Sequence, residues 1–486
     1  MKRNSLTTAV VAGIAGVAGF AGLANAVDLN PDGLGQVLIY PYYTVNKSQD
    51  SLFSVVNTTA VGKAVKVRFL EGYNSREVLD FNLFLSPQDV WTAAVSQVSD
   101  DGGAKITTSD RTCTYPAIPA AGQPFFTLAF DGGSIAPFNV PDEGPQDVTR
   151  TREGYAELIS MGDIIDGSPL DSTTTHTQGG GPNTGVPECD TSVLTTAGDY
   201  LDPPTGGLFG SGTIVNVGEG TSYHYNADAI DGFTATTLFF GSSALEPSLQ
   251  NANSLESALT ARAYVFINGA LVVADYDLGV DAVSAVFMSD NLFNEYIVSA
   301  SLGANTDWIV TFPTKRFYVD DLAYANAPRA PFVEAFAAPG ESNVAVGINL
   351  YDREEGHTTS EEGFSPPAGS RPSSLPYEVN VISFLTDTAV GDPSGVFGSL
   401  LRPNITPYGD FGWLQLGFND SVEPHALPGG VTPAGAALTF NGLPATGYNG
   451  YNIINANANP GLLANYGGLF RHRASRSCSG ADPACS

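Results

Sequence analysis

The sequence predicts a mainly β protein built of antiparallel β-sandwich domains, with long Gly/Pro-rich loops and at most one or two short helices. Two observations support this prediction. Short segments alternate apolar and polar residues with period two, as in VKVRF at 65–69, where three apolar residues share one face and two basic residues the other. The 54 glycines and 32 prolines separate these segments and leave little room for long helices.

Strands are predicted along the whole chain. They are QVLIYPYYTV (36–45), SLFSVVN (51–57), VKVRF (65–69), ARAYVFING (261–269), DWIVTFPT (307–314), NVAVGINLY (343–351), YEVNVISF (377–384) and FGWLQLGF (411–418). One short helix is predicted in NANSLESALTAR, where Asn253 or Ser254 can cap the first turn and Leu255, Ala258 and Leu259 share a face.

The chain is long enough for two or three domains, and we predict two. Residues 27–245 form an N-terminal β-rich domain with a turn-rich insertion at 163–206. Residues 246–260 form the short helix and a connector, and residues 261–486 form a C-terminal β-rich domain.

The first 26 residues have the pattern of a secretory signal peptide. Lys2 and Arg3 precede an apolar run, and Ala24-Asn25-Ala26 forms a small-x-small cleavage site. The alternative is a membrane anchor, but glycines interrupt the run, which is shorter than the ~20 apolar residues of a span. We therefore expect secretion to the periplasm, the cell surface or the extracellular space, with no transmembrane helix in the mature chain.

The charge balance excludes one class of partner. A net charge of −29 repels nucleic acid, which proteins bind chiefly by neutralising phosphates with Lys and Arg. Only 15% of the residues are charged and 43% are hydrophobic, so the chain is globular and not an acidic tail. We expect no nucleic-acid partner.

The four cysteines agree with export, because an even number in an exported chain suggests two disulfides. They allow three connectivities. The shortest loop joins Cys478 to Cys485, which leaves Cys113 to pair with Cys189. Free or intermolecular thiols are the alternative.

A first candidate calcium site follows the signal peptide. In DLNPDGLGQ, the oxygen-bearing residues Asp28, Asn30 and Asp32 alternate before Gly33, as at the start of a calcium-binding loop. The position that should supply the bidentate carboxylate is Ile39, so the motif is half complete. A polar turn leading into the first strand is the alternative.

A second candidate calcium site is the densest group of acidic residues, which includes Asp352, Glu354 and Glu355, with Glu361 and Glu362 further along. Like charges this close repel one another unless they are solvated or bridged by a cation. The surrounding Ser, Pro and Gly residues favour solvation, and divalent cation binding is the sharper hypothesis.

No catalytic motif is present. The sequence lacks G-x-S-x-G, H-E-x-x-H, a phosphate-binding loop and a dinucleotide fingerprint. Carboxylate pairs such as Asp320 with Asp321, or Asp275 with Asp277, have the residue types of a glycosidase, but such pairs occur in almost any acidic protein. We predict no catalytic or cofactor-binding residue other than the metal candidates.

Two further segments invite a functional interpretation. In TSYHYNADAIDGF (221–233), the aromatic residues around His224 can form a carbohydrate-stacking face, or else a strand and its turn. Leu443 to Gly447 read LPATG, the string that sortases cut, but no membrane-spanning segment follows it. We interpret LPATG as a turn between two strands.

Composition favours a structural or binding protein over an enzyme. Low sulfur, few lysines and a pI near 4.2 resemble secreted bacterial matrix and surface-layer proteins, which are commonly cemented by Ca²⁺. The first hypothesis is an exported surface or extracellular-matrix protein that is stabilised by calcium. It would bind itself, a matrix component or a carbohydrate. The alternative is a secreted hydrolase acting on a glycan.

Overall fold

The computed structural model describes residues 26–485 except 134–136, 139, 177–184, 255–260, 359–373, 385–391, 420–423 and 456–457. Within these residues the prediction of a mainly β, antiparallel fold is confirmed. The predicted signal peptide, apart from Ala26, and residues 255–260 of the predicted helix fall outside the described residues.

The strands up to residue 254 are β1 (Asp28–Leu29), β2 (Val37–Thr44), β3 (Asp50–Asn57), β4 (Gly62–Glu71), β5 (Glu77–Leu85), β6 (Val90–Gln97), β7 (Ala104–Thr107), β8 (Cys113–Tyr115), β9 (Gln123–Pro124), β10 (Glu153–Ile164), β11 (Leu201–Asp202), β12 (Leu208–Asn216), β13 (Thr221–Asn226) and β14 (Asp228–Asp231).

The strands after residue 260 are β15 (Ala261–Ile267), β16 (Ala270–Tyr276), β17 (Met288–Ser289), β18 (Asn291–Ile297), β19 (Ala304–Thr311), β20 (Val344–Ala345), β21 (Gly347–Asp352), β22 (His357–Thr358), β23 (Ser374–Leu375), β24 (Val379–Ser383), β25 (Phe411–Gly417), β26 (Ala426–Val431), β27 (Ala437–Asn441), β28 (Leu443–Pro444), β29 (Thr446–Ile453), β30 (Tyr466–Arg471), β31 (Arg473–Ser475) and β32 (Cys478–Gly480).

Helices are few and short, although more numerous than the one or two expected. The described residues hold α1 (Pro169–Thr174), α2 (Thr191–Leu194), α3 (Gly279–Phe287) and α4 (Arg316–Val319), besides short 3-10 turns. Only α3 is longer than six residues. Its sequence GVDAVSAVF is apolar almost all round, and every residue after Gly279 is buried. It therefore has no polar face to mark it as a helix in the sequence.

Two large sheets form the first half of the fold. The eight-stranded sheet has the order β1-β14-β2-β10-β4-β5-β8, with β11 beside β10, and the six-stranded sheet has the order β13-β12-β3-β6-β7-β9. Phe53 of the six-stranded sheet packs edge-on against Tyr40 and Phe69 of the eight-stranded sheet, with ring centroids 5.3 Å apart in both pairs. This is sandwich packing, with side chains of the two inner faces in contact.

The second half is divided among smaller sheets. Their orders are β15-β16-β26-β27-β32, β22-β21-β25-β18-β31 and β24-β19-β29-β30, with the two-stranded pairs β17-β28 and β20-β23. Long pairings such as β19 with β29 and β18 with β25 are antiparallel.

One apolar core extends through both predicted domains. Tyr42 packs against Phe397 with ring centroids 5.6 Å apart, and Tyr225 stacks on Tyr448 at 5.1 Å. Val27, which is completely buried, donates its backbone N–H to the carbonyl of Arg262, 2.8 Å away. The two predicted domains are thus packed against each other, and the boundary at 246–260 stays a prediction.

A second, smaller apolar cluster lies under the insertion at 163–206, where Leu170 and Leu194 pack with Phe84. The insertion is attached there by the disulfide Cys113–Cys189, and the second disulfide is Cys478–Cys485. The predicted connectivity is confirmed. The described residues contain no free cysteine.

The two disulfides should differ in what they contribute to stability. They close loops with sequence separations of 76 and 7 residues, and the longer loop restricts the unfolded chain more. We expect Cys113→Ala/Cys189→Ala to lower the free energy of unfolding by roughly 2–5 kcal/mol. Cys478→Ala/Cys485→Ala is the matched control and should cost less. Denaturant titration measures both, and equal or reversed losses would contradict the loop-length argument.

Candidate functional site

The candidate site is a cleft of about 510 Å³ where the first strand meets the last strands of the chain. Leu29 of β1 lies on one side. The β15–β16 turn, the end of α3 and the β30–β31 segment form the rest, and the full lining is Leu29, Phe266, Asn268, Phe287, Ser289, Leu292, Ala445, Thr446, Gly447, Arg471, His472, Ala474, Ser475 and Arg476.

One part of the cleft is apolar. Phe287 and Leu292 are buried, whereas Phe266 is 58% exposed. An exposed phenyl ring beside a cleft gives a ligand an apolar contact without any rearrangement of the core.

The opposite character comes from two arginines that lie near one carboxylate. Arg471 forms an ion pair with the buried Asp228, which also accepts a hydrogen bond from Thr446 Oγ1. The side chain of Arg476 has no hydrogen-bond or ion-pair partner among the described residues. Burial lowers the pKa of Arg476 and the charge of Arg471 lowers it further, while Asp228 raises it. Two cations facing one anion leave the cleft with surplus positive charge, which favours an anionic ligand.

His472 lies in the same cleft but cannot serve as its general base. Its Nε2 lies 2.9 Å from the carbonyl of Ile309 and its Nδ1 3.1 Å from Nδ2 of Asn294. Burial, followed by the charge of Arg471, lowers the pKa of His472 to about 3. The imidazole is therefore neutral, with Nε2–H donating and Nδ1 accepting, and both nitrogens are engaged.

The LPATG string forms part of the cleft wall. Leu443 and Pro444 make up β28, Thr446 begins β29, and Leu443 is completely buried. The interpretation as a turn is wrong, because the segment pairs as strand with β17 and β19. A Cβ on Gly447 would lie 2.0 Å from the carbonyl oxygen of Ile309, so this close pairing requires glycine.

The first candidate calcium residues are separated by the fold. Asp28 lies in β1 opposite Asp231 of β14. Asn30 instead makes a turn, accepting from the backbone N–H of Asp32 at 3.0 Å and donating to the carbonyl of Leu34 at 2.7 Å. Burial, followed by the charge of Asp231, raises the pKa of Asp28 to about 6. The sequence pattern did not identify the carboxylate that is the cross-strand partner of Asp28.

The second candidate calcium residues form the β21–β22 turn. Asp352 Oδ1 accepts from the backbone N–H groups of Glu354 and Gly356 at 3.0 and 2.8 Å. The exposed Glu354 pairs with Arg353 at 2.9 Å, and Glu355 has a positive φ of 64°. Glu361 and Glu362 lie outside the described residues. In the part of the chain that the structure describes, no group of three or more His, Cys, Asp or Glu residues is arranged to hold a metal ion.

One serine, histidine and aspartate come together without the geometry of a catalytic triad. Ser86 Oγ lies 3.1 Å from Nδ1 of His176, and Asp89 Oδ2 lies 3.7 Å from the same nitrogen. A triad needs serine and aspartate on opposite ring nitrogens. One carboxylate of each pair considered for a glycosidase is engaged in an ion pair, Asp320 with Arg76 and Asp275 with Arg262.

The aromatic segment around His224 is a strand, β13, as the alternative interpretation proposed. Tyr223 and Tyr225 are 1% and 7% exposed and face the core, so they offer no stacking surface.

Comparison with known proteins gives no relative, since no family model, no curated protein and no solved structure matches the chain. Within the described residues, no helix has the length and apolar character needed to cross a membrane.

One sequence signal points to this cleft, called here the arginine cleft after Arg471 and Arg476. RHRASR (471–476) places three arginines within six residues of a strongly acidic chain. The signal is ambiguous, because residues 63–68 hold three basic residues as well, and those are buried in ion pairs.

The pairing of Asp28 with Asp231 makes a pH-dependent prediction. Because the pKa of Asp28 is raised in the folded protein, its contribution to stability is present below pH 4 and is lost as the pH rises through 6. We expect Asp28→Asn to leave the melting temperature unchanged near pH 4 and to raise it above pH 6. Melting curves in chelator across this range measure the difference, and a pH-independent difference would contradict the raised pKa.

Proposed function

We propose that this protein is an exported bacterial surface or extracellular-matrix protein that acts by binding, with the arginine cleft as its binding site for a carboxylate ligand. The observation that supports binding at this site is that two guanidinium groups, Arg471 and Arg476, lie near a single carboxylate, which forms its ion pair with Arg471. In a chain of net charge −29, such a local surplus of positive charge needs a reason.

The chemistry of the walls defines the ligand further. A guanidinium binds a carboxylate through two parallel hydrogen bonds, and the exposed ring of Phe266 offers an apolar contact beside it. A ligand with one acidic end and one apolar face satisfies both. Among matrix components, carboxylated sugars have this character, since the C–H groups of a pyranose ring form an apolar face.

Export is supported by the signal-peptide pattern of the first 26 residues and by the two disulfides, which are typical of oxidising compartments. Binding is favoured over glycan hydrolysis because glycosidases act with a pair of carboxylates, whereas the lining of the described cleft includes neither Asp nor Glu.

The cleft is tested by calorimetric titration with glucuronate, with octanoate as an unrelated apolar acid and glucose as the neutral sugar. We expect glucuronate to bind, more weakly as salt is added, and glucose not to bind. Arg476→Gln should weaken binding roughly 10- to 100-fold, because a hydrogen bond to a charged group contributes about 1.5–3 kcal/mol.

The matched control is Arg111→Gln, which removes an exposed arginine that is not part of the cleft. The Arg111→Gln variant should bind glucuronate with the same affinity as the unchanged protein. Binding that survives Arg476→Gln, or that is lost equally in Arg111→Gln, would contradict the assignment. If octanoate binds and glucuronate does not, the proposed carboxylated sugar is wrong and the ligand of the cleft is an acyl acid.

Calcium stabilisation is the second part of the proposal, and the facing carboxylates of Asp28 and Asp231 support it. Two half-buried carboxylates opposite each other repel, and a hard cation would relieve that repulsion. We expect calcium to raise the melting temperature relative to chelator, and Asp28→Asn to abolish the difference. An unchanged melting temperature would remove calcium from the proposal.

A further inference from the structure

Completely buried lysines are a conspicuous feature of this protein. The side chains of Lys63 and Lys66 are 0% exposed, although lysine is almost never fully buried in proteins unless it is paired. Both belong to β4, a strand that is buried along its whole length. Each contacts an aspartate on a neighbouring strand, so an amine and a carboxyl group meet at two places in the sheet.

The Lys66 amine is held against Asp80. Its Nζ contacts Asp80 Oδ2 on β5, the strand paired with β4. The backbone carbonyls of Ser242 and Ala244 approach the same Nζ to 3.2 and 2.9 Å, from the loop that follows β14. The amine is thus fixed in position by acceptors on one side, with the carboxyl group as its other neighbour.

The Asp80 carboxyl group has a raised affinity for protons. Burial, followed by the charge of Glu77, raises the pKa of Asp80 to about 7, against the opposing effect of Lys66. The raised pKa of Asp80 therefore favours the protonated carboxyl group, and the proposed reaction takes that proton from the Lys66 ammonium. The result is a neutral amine facing a neutral carboxyl group, the form in which an amine is a nucleophile and a carboxyl carbon can be attacked.

We propose that Lys66 and Asp80 condense to form an intramolecular isopeptide bond. Nζ of Lys66 attacks Cγ of Asp80, the Nζ–Cγ bond forms, and one Cγ–O bond breaks. The departing oxygen leaves as water, taking the proton already transferred to the carboxyl group and a second proton from the nitrogen. Ammonium and carboxylate become amide and water, so atoms and charge balance and nothing is oxidised or reduced.

Position makes the condensation feasible. Groups fixed in contact react as if present at effective concentrations of roughly 10⁵–10⁸ M. The remaining N–H of the amide would keep the carbonyl of Ala244 as its acceptor. Strands β4 and β5 flank the turn at 72–76, so the bond would fasten a hairpin that already docks against β24 through Gly72 and Tyr73.

The other pair is a natural control. Lys63 Nζ lies 2.6 Å from Asp163 Oδ1, but Asp163 also accepts hydrogen bonds from the hydroxyl and backbone N–H of Thr205 at 2.6 and 3.3 Å. Asp80 accepts from Lys66 alone in the described contacts, whereas breaking a C–O bond of Asp163 would also break its hydrogen bonds from Thr205. The bond is therefore assigned to Lys66 and not to Lys63.

The test is the intact mass of the full exported chain, measured after reduction and denaturation. We expect a deficit of one water relative to the sequence mass. Proteolysis should give a branched peptide joining Lys66 to Asp80, which tandem mass spectrometry identifies. Because this measurement uses the unchanged protein, it does not depend on whether any variant folds.

Variants then assign the bond. Lys66→Arg should restore the full mass, Lys63→Arg should keep the deficit, and Asp80→Asn should lose one ammonia in place of one water. A wild-type chain of full mass would overturn the proposal, as would a branch at Lys63 and Asp163.

Discussion

The buried ion cluster around Arg150 is the interaction on which the rest of the structure depends. Its guanidinium pairs with Glu71 and Asp142 at 2.8 and 2.7 Å, and the side chains of Arg150 and Glu71 are completely buried. Glu71 in turn accepts hydrogen bonds from the backbone N–H groups of Tyr73, Asn74 and Arg76, which shape the turn after β4. One carboxylate therefore neutralises a buried cation and builds a turn.

That turn joins the two halves of the fold. Gly72 and Tyr73 accept backbone hydrogen bonds from Val379 and Glu378, and Ser75 Oγ donates to the Glu378 carboxyl group. Nearby, Arg68 and Arg316, one from each half, approach the same carboxylate of Glu157 at 3.0 and 3.5 Å. Removing one partner from such a cluster leaves an uncompensated buried charge, which costs about 3–5 kcal/mol. The halves are thus held together by charges as well as by the shared apolar core.

The sequence predicted the strands well because period-two alternation records local geometry. It did not predict that Lys66 and Arg68, on the polar face of β4, would be buried, since burial of that face depends on partners far along the chain. The same reason explains why the arginine cleft was not predicted from the sequence. Arg471 and Asp228 are separated by more than 200 residues, and no local pattern records that they meet. The disulfides were predictable because loop length alone favoured one connectivity, whereas helix α3 was missed because its buried sequence lacks a polar face.

The burial of Val27 and the pairing of β1 have a consequence for the order of folding. Val27 and β1 pair with Arg262, Tyr264 and β14, all of which follow more than 195 residues later. Contacts between distant parts of a chain form slowly, because a long loop must close before they contribute. A chain that crosses a membrane from its N-terminal end would therefore emerge with β1 unpaired. That strand would find its partner only when β14 had followed it across, and Val27 only when Arg262 and Tyr264 had followed as well. Secretion and folding would then be coupled, with the completed fold appearing late and nearly all at once.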